Sequence, residues 1–399
     1  MSRQEFSLLR CQVRLVRQTG VVARSVSLLA ALGAACAVAG VARADVPANI
    51  ESELLKIGKI VDPACTAKLY RPLMPAHDIT SGAVPLYPGI TIARDVGFGP
   101  NPKDVVDIFT ADTGAQSRPV LIYVPGGGGE KVELQVKEAN AFYDNIARWA
   151  TRNGMVGVTM ERHFSPTWDG GAKDIAQMIQ WLHANIAHYH GNPDRMFIWA
   201  HSAGNMPLGT YVGRPELWGP GGVGVKGVIF MSPAAFDIEP VQVDAGNPAD
   251  MMKMFALAGK TCGAPGPMST DAALPGKLAG QPGGPVGPPP GAAPGALPMG
   301  PPAVDAATRL ARSSLPALKA STAKVLLANG ELDIGAEPSL GGLTAFNKAL
   351  HDALCVDGSA HCPTLLVPKG HSHMSLVFSI DTADTTVSGP ILSWIRSVP

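Results

Sequence analysis

A serine stands where an apolar, strand-like run ends. Residues 196–200 are apolar, and Ser202 follows them with small neighbours on both sides: Ala200 two residues before it, and Ala203 and Gly204 directly after it. This pattern is typical of a nucleophile elbow, in which a strand turns sharply into a helix and holds the hydroxyl at the tip. Ala200 replaces the first glycine of the general G-x-S-x-G pattern, a difference of one methyl group. Because a serine hydroxyl is a poor nucleophile at neutral pH, it needs a base, usually an imidazole that a carboxylate orients.

Two later strand-like runs also end in ionisable residues. The first is followed by the acids Glu331 and Asp333, and the second by the histidines His371 and His373. Reactive groups collect at the carboxyl ends of strands in a parallel sheet, so these side chains are expected to meet Ser202 there. Two histidines separated by one residue can also chelate zinc, but the sequence has no evident third ligand set, which argues against a metal site.

The elements that would position these residues alternate between strands and helices. Short apolar runs predict strands at 90–94, 105–109, 120–124, 155–160, 196–200, 225–231, 325–328 and 365–367. Helical patterns predict helices at 139–152, 171–190, 340–354 and 387–398, after an irregular, proline-containing start. Trp168 and Trp181 are predicted to lie in the core. The alternation indicates an α/β fold with a mostly parallel central sheet covered by helices on both faces.

The order serine, acid, histidine resembles that of the α/β-hydrolase superfamily, and within it the carboxylesterases that have an HGGG-type oxyanion loop. The matching loop is Val124-Pro125-Gly126-Gly127-Gly128-Gly129, which follows the third strand-like run. The resemblance extends from about Ile90 to the C-terminus, without the segment 264–303. It implies the α/β-hydrolase fold, with a small cap, and an esterase-like or lipase-like activity. Elbows of the form A-x-S-x-G occur among bacterial lipases of the same superfamily.

The resemblance also implies a catalytic triad. Ser202 would be the nucleophile, and the family pattern G-x-x-D, which begins here at Gly330, selects Asp333 as the acid. Esterases of this kind have a histidine followed by an apolar residue and a serine or aspartate, which selects His373 as the base. His371 is then a supporting or a solvent-facing residue.

The same resemblance assigns an oxyanion hole. By position, the donors would be the backbone N–H groups of Gly127, Gly128 and Ala203. Glycines are needed in such a loop because a Cβ would block the approach of the N–H groups to the developing charge. Pro125 replaces the histidine that usually braces the loop, so its ring is expected to supply the rigidity. A phosphate-binding loop is the alternative, but Glu130 follows the glycines where a P-loop has lysine.

These residues predict an exported serine hydrolase that cleaves carboxylic esters through an acyl-enzyme. The expected partner is a small-molecule ester, and the mechanism needs no cofactor and no metal ion. One alternative is an amidase or peptidase with the same triad. The other is a catalytically silent exported binding protein on the same fold. The acyl and alcohol preferences and the oligomeric state stay open.

The first 44 residues are typical of a secretory signal peptide. Five arginines precede an uncharged run at 25–42, and Ala42-Arg43-Ala44 fits an A-x-A cleavage site, with cleavage predicted after Ala44. The protein is therefore expected in the periplasm or outside the cell. The segment holds six arginines and one glutamate, so the rest of the chain has 26 basic and 31 acidic side chains and a net charge near −5. This balance, without a basic stripe, argues against nucleic acid as a partner. No later apolar run is long enough to span a membrane.

Residues 45–399 are predicted to form one hydrolase domain with an insertion. Of the 40 residues at 264–303, 21 are glycine or proline and two are charged, a composition that predicts disorder. The insertion is a surface loop or an interaction arm. Just before it, the apolar cluster at 251–255 is either part of a cap or an ordinary core helix.

Four cysteines follow the predicted signal peptide, and an even number in an exported protein indicates disulfides with three possible pairings. Cys355 and Cys362 bracket a short polar loop, so a local bridge between them is the first choice. A bridge between Cys65 and Cys262 would then follow by elimination.

Overall fold

The computed structural model of the protein describes residues 46–74, 87–114, 116–131, 142–163, 165, 167–233, 235–243, 305–356 and 361–399. Four predictions fall outside these residues: the signal peptide, the apolar cluster at 251–255, the insertion at 264–303 and the position of Cys262.

The central sheet has eight strands in the order β1-β2-β4-β3-β5-β6-β7-β10. Their bounds are β1 Ile90–Gly97, β2 Val105–Ala111, β3 Arg118–Val124, β4 Val156–Met160, β5 Gly191–His201, β6 Gly227–Met231, β7 Lys324–Ala328 and β10 Thr364–Leu366. The first two strands run antiparallel to their neighbours, and the six from β4 to β10 in this order are parallel. A separate two-stranded ribbon is formed by β8 Ala336–Glu337 and β9 Leu343–Thr344. The predicted fold class, an α/β-hydrolase fold with a mostly parallel sheet, is confirmed.

The central strands are buried on both faces. In β3, Val120 and Ile122 belong to one hydrophobic cluster and Leu121 and Tyr123 to another, and none of the four is more than 1% exposed. Because successive side chains of a strand point to opposite faces, a strand covered on both sides must be apolar at every position. This is why the sequence shows a continuous apolar run instead of an alternating pattern.

Helices cover both faces of this sheet. Those that flank the strands are α3 Asp144–Arg152, α4 Gly170–Asn185, α5 Asn205–Val212, α6 Ala306–Arg312, α7 Leu315–Ala320, α8 Ala345–Leu354, α9 Ser375–Phe378 and α10 Ser388–Ser397. The four predicted helices correspond to α3, α4, α8 and α10. None of the helices in the described part of the chain is both long and apolar enough to cross a bilayer.

Two helices stand at the start of the described chain, where the sequence predicted irregular structure. These are α1 Ala48–Ile57 and α2 Pro63–Tyr70. Ile50, Leu54 and Ile57 recur at helical spacing in α1 and are buried, and Asp62 caps α2 by accepting a hydrogen bond from the Cys65 N–H. Both helices join the cluster on the Tyr123 face of the sheet. The prolines that suggested irregular structure stand instead at the starts of helices. A missing backbone N–H has no cost there, because the first N–H groups of a helix have no partner within the helix.

Trp168 does not lie in the core, so that prediction was wrong. Its side chain is 46% exposed, and the guanidinium carbons of Arg214 and Arg312 lie over its ring, at 4.6 and 4.4 Å from the ring centroid. Cation–π contacts keep the ring ordered at the surface. Trp181 is partly buried and packs against the core as expected.

A disulfide joins Cys355 and Cys362, as predicted, with Cα atoms 4.3 Å apart. It closes the loop that follows α8. Cys65 is buried in α2. Its predicted partner, Cys262, is outside the described residues.

Candidate active site

The carboxyl ends of the parallel strands bring the predicted site residues to one edge of the sheet. Ser202 follows β5 directly, whereas Asp333 and His373 lie in the loops after β7 and β10. The loop after β10 is tied to the loop after β7 by hydrogen bonds, including one from the Leu332 N–H to the His371 carbonyl oxygen at 2.8 Å. Asp333 and His373, which are far apart in sequence, therefore lie in two loops that are bonded to each other.

Ser202 has a strained backbone, with φ at +52°. Few residues other than glycine adopt this left-handed region, and strain of this kind clusters at functional sites. The turn is possible because its neighbours are small. A Cβ on Gly204 would lie 2.6 Å from the carbonyl oxygens of Val124 and Pro125. The geometry is that of the predicted nucleophile elbow.

Asp333 and His373 form a hydrogen-bonded pair. His373 Nδ1 lies 2.8 Å from Asp333 Oδ1, and both residues are buried, at 6% and 1% exposure. A carboxylate acceptor at Nδ1 places the hydrogen on that nitrogen, which leaves the Nε2 lone pair of the neutral ring available as a base.

Several donors hold the Asp333 carboxylate in place. Oδ2 accepts hydrogen bonds from the Ser232 hydroxyl and from Asn329 Nδ2, the latter at 3.0 Å, and Oδ1 also accepts from the Ile334 N–H at 2.8 Å. Burial by itself would raise the pKa of Asp333, but the charge and hydrogen bond of His373, together with Ser232 and Asn329, lower it below its ordinary value. The carboxylate therefore stays ionised beside the imidazole.

The last residue of β5, His201, connects Ser202 to the backbone of His373. His201 Nε2 lies 3.0 Å from the backbone oxygen of His373, and the centroids of the two imidazole rings are 4.7 Å apart. No direct hydrogen bond from Ser202 Oγ to His373 occurs among the described residues. Catalytic hydrogen bonds are often long without substrate and shorten in the substrate complex.

His201 is held in its neutral form. Burial, reinforced by the neighbouring His373, lowers the pKa of His201 to about 3. Its Nδ1 is buried and has no hydrogen-bond partner among the residues that the structure describes, so the ring hydrogen belongs on Nε2, which faces a carbonyl acceptor. His201 thus donates a hydrogen bond to the backbone of His373 without adding a positive charge beside it.

The glycine loop after β3 lies against the elbow. A Cβ on Gly126 would lie 2.8 Å from Ser202 Cβ, so this position cannot carry a side chain without displacing one of the two. Gly127 and Gly128 are exposed, and in the described part of the chain no heavy atom beyond their immediate neighbours lies within 4 Å of a Cβ built on either. Within the described residues, no backbone acceptor binds the N–H of Gly127, Gly128 or Ala203. These are the three groups that the sequence assigned to an oxyanion hole.

An arginine that the sequence did not single out braces this loop. Arg162 Nε donates to the Pro125 carbonyl oxygen at 2.7 Å, and its Nη2 donates to the oxygens of Gly126 and Gly127 at 3.2 and 3.1 Å. The backbone N–H of Arg162 donates to the Gly129 carbonyl oxygen at 2.6 Å. Burial lowers the pKa of Arg162, which has carbonyl groups around it. A guanidinium group therefore holds this loop, and the rigidity expected from the Pro125 ring stays a prediction.

His371 is buried and faces away from the pair. Its Nδ1 lies 3.0 Å from Ser375 Oγ, and its Nε2 lies 2.5 Å from Thr386 Oγ1 and 3.5 Å from Asp384 Oδ2. Of the two roles expected for it, the supporting one fits and the solvent-facing one does not, since its side chain is fully buried. Glu331, the other acid in its loop, accepts a hydrogen bond from the Gly370 N–H at 3.0 Å.

Sequence reasoning thus missed Arg162 and His201. The available signal for Arg162 was a basic residue just past the end of β4, at the same edge of the sheet as the glycine loop. For His201 it was adjacency to the serine. Neither signal identifies the carbonyl groups that these side chains bind.

Comparisons with known proteins agree with this geometry. The family model described as BD-FAE matches residues 106–209, which include the glycine loop and the elbow. Secreted lipase 5 from Gibberella zeae is 28% identical over 171 residues, which are 39% of this chain and 30% of that protein. Esterase LipQ from Mycobacterium tuberculosis is 34% identical over 115 residues, 28% of this chain and 26% of that protein. The matched segments thus span less than a third of these relatives.

The structural comparison supports the fold. Esterase B from Lactobacillus rhamnosis, solved in an inhibited form, superposes with a TM-score of 0.50 at 13% identity and covers 88% of this chain and 96% of its own. Together, the sequence and structure comparisons confirm the resemblance to the α/β-hydrolases and to their carboxylesterases.

Proposed function

We propose that this chain, an α/β-hydrolase similar to the carboxylesterases, is a serine hydrolase that cleaves carboxylic esters through an acyl-enzyme. The observation that carries the proposal is the buried hydrogen bond of 2.8 Å between Asp333 Oδ1 and His373 Nδ1, beside a serine in a strained turn. A buried carboxylate–imidazole pair next to a sharply turned serine is what nucleophilic acyl transfer requires.

Each side chain then has one task. His373 Nε2 accepts the Ser202 proton as the hydroxyl oxygen attacks the ester carbonyl carbon. Asp333 keeps the hydrogen of the neutral ring on Nδ1 and stabilises the imidazolium that forms. The lowered pKa of Asp333 supports this role, because the acid stays charged throughout the cycle. The imidazolium afterwards gives its proton to the leaving alkoxide.

The tetrahedral oxyanion is stabilised by backbone donors. The N–H groups of Gly127, Gly128 and Ala203 are available for it, and Arg162 fixes the loop that supplies two of them. Donors held in place before the reaction need no reorganisation as the charge develops, and each is worth about 3 kcal/mol. Water activated by His373 then hydrolyses the acyl-enzyme.

The protein is proposed to be exported to the periplasm or beyond, with cleavage of the signal peptide after Ala44. The Cys355–Cys362 disulfide supports an oxidising compartment. A relative, secreted lipase 5 from Gibberella zeae, is described as secreted.

The first prediction tests the nucleophile. Ser202→Ala is expected to abolish turnover of p-nitrophenyl acyl esters and labelling by a fluorophosphonate probe, because both need the Oγ atom; we expect a loss of at least about 10³-fold in kcat. Ser52→Ala, at an exposed serine of α1, is the matched control and should keep both signals. Undiminished labelling of Ser202→Ala would remove Ser202 from the mechanism.

The two alternatives give different results in the same experiments. An amidase or peptidase would turn over p-nitroanilides as well as the matching p-nitrophenyl esters, whereas the proposed esterase turns over the esters and leaves the p-nitroanilides uncleaved. A silent binding protein would not be labelled by the fluorophosphonate at all. The strained φ of Ser202 argues against the silent protein, since such strain is retained where it serves function.

A further inference from the structure

We propose that Asp104, His163 and Asp174 bind one first-row divalent transition-metal ion, with Zn²⁺ as the first choice. His163 Nε2 lies 3.0 Å from Asp104 Oδ1 and 3.4 Å from Asp174 Oδ2. The three ligand atoms lie within 4.8 Å of one another. The site is separate from Ser202 and does not depend on ester hydrolysis.

The cluster has too few hydrogens to satisfy both carboxylates, which argues for a cation between them. Nε2 of an imidazole carries at most one hydrogen, yet two carboxylates face this single nitrogen. The three side chains are only 4%, 16% and 17% exposed, so water compensates little of the charge. A divalent ion between the three groups would offset the two negative charges at once.

The spacing of the three groups is also compatible with a metal ion. Ligand atoms at about 2.0–2.2 Å from a tetrahedral ion lie roughly 3.3–3.6 Å from each other. The two distances from Nε2, 3.0 and 3.4 Å, are close to that range. A nitrogen ligand with two carboxylates favours zinc and related ions over calcium and magnesium, which prefer all-oxygen sites. Water would complete the coordination.

The cluster is assembled from three separate parts of the fold. Asp104 directly precedes β2, His163 follows β4, and Asp174 lies in α4. Asp104 is oriented by the Asn101 N–H, which donates to its second oxygen at 2.9 Å, and it packs where Gly99 has no side chain. An ion here would therefore crosslink a loop, a strand end and a helix.

This crosslink would act on the oxyanion loop through the chain itself. His163 is the neighbour of Arg162, whose guanidinium group holds the carbonyls of Gly126 and Gly127. Fixing His163 restricts the backbone that carries this brace. The ion is thus expected to be structural, with no contact to the reacting atoms.

The second prediction is metal binding by the full chain. Protein without an affinity tag is stripped with EDTA, kept oxidised, and titrated with Zn²⁺ by calorimetry. Wild type is expected to bind one ion and to melt at a higher temperature with Zn²⁺, whereas His163→Gln and Asp174→Asn should bind about 100-fold more weakly and show no shift in melting. Oxidised protein is needed because reduced Cys355 and Cys362, beside His351, could offer thiolates.

His188→Gln is the matched control, since it removes an exposed imidazole outside the cluster and should bind like wild type. Melting of each variant in EDTA shows whether it folds. If His163→Gln does not fold, the binding comparison is made with Asp174→Asn. No binding by wild type at millimolar Zn²⁺ would overturn the proposal. So would equal binding by folded cluster variants and the control.

Discussion

His201 shows how a single residue can serve a site without touching the reacting atoms. Its Nε2 donates to the His373 backbone oxygen across a separation of 172 residues, and its ring packs against the His373 ring. This contact joins the strand that carries Ser202 to the loop that carries the base. Because the ring is neutral, it makes this contact without a positive charge that would oppose the His373 imidazolium.

The third prediction concerns the pH dependence of stability. The pKa of His201 is about 3 in the folded chain, against an ordinary value of 6.5. Between these values the unfolded chain binds a proton that the folded chain does not, so His201 lowers the stability of the fold as pH falls. His201→Gln removes the titrating ring, and the amide can still donate a hydrogen bond. Between pH 7 and pH 4.5 the variant should lose about 2 kcal/mol less stability than wild type.

Urea unfolding at the two pH values measures this difference. His188→Gln, which removes an exposed imidazole, should show the wild-type loss. Identical losses for His201→Gln and wild type would mean that the buried ring takes up a proton in the folded chain as readily as in the unfolded chain, contrary to its environment.

At the scale of elements, the site depends on how closely the loop after β3 approaches the turn after β5. These strands are adjacent and in register, with Val124 opposite Ala200, so their ends stand side by side. Gly126 and Gly204 are the contact points, and each lacks the Cβ that would push the two segments apart. Arg162 then holds the loop from the side of β4.

The fourth prediction tests this contact. In Gly126→Ala, the new Cβ would lie 2.8 Å from Ser202 Cβ and 3.0 Å from the His201 oxygen, so the loop or the serine must move. Misplacement of reacting groups by about 1 Å costs roughly 100-fold in rate, and we expect a loss of that size in kcat for ester turnover. The melting temperature should change less than the rate.

Gly221→Ala is the control for the added methyl group, because Gly221 is exposed and a Cβ there meets nothing within 4 Å. It should keep wild-type turnover. Wild-type kcat in Gly126→Ala would show that the loop does not set the position of Ser202.

At the scale of the molecule, the sheet is stabilised by a cluster of buried side chains on each face. The N-terminal helices α1 and α2 contribute to the cluster that also contains Tyr123 and Trp199. Leu54 is fully buried there, whereas its neighbour Leu55 is 58% exposed. The start of the described chain is therefore part of the core.

The fifth prediction compares these two leucines. Leu54→Ala should lower the free energy of unfolding by about 3 kcal/mol, because it removes buried methyl groups and leaves a cavity. Leu55→Ala should change it by less than about 0.5 kcal/mol. Urea denaturation of both variants gives the values. Equal effects would mean that α1 does not pack on the sheet in solution.

Patterns along the chain predict the eight strands of the central sheet in order, four of the helices and the position of the elbow. These features are local: a run such as 120–124 is apolar at each position because both its faces are covered, and the small residues around Ser202 are required by one sharp turn. The family pattern then separated Asp333 from Glu331 and His373 from His371, and the structure brings the chosen two together.

The groups that hold these residues in place are evident only from the packing of distant segments against one another. The brace from Arg162, the contact from His201 and the cluster of Asp104, His163 and Asp174 all join segments that are distant in the chain. Periodicity and motifs report the neighbours of a residue along the chain and the face it occupies. Side-chain contacts across the fold depend instead on the packing of whole elements, which short patterns do not encode.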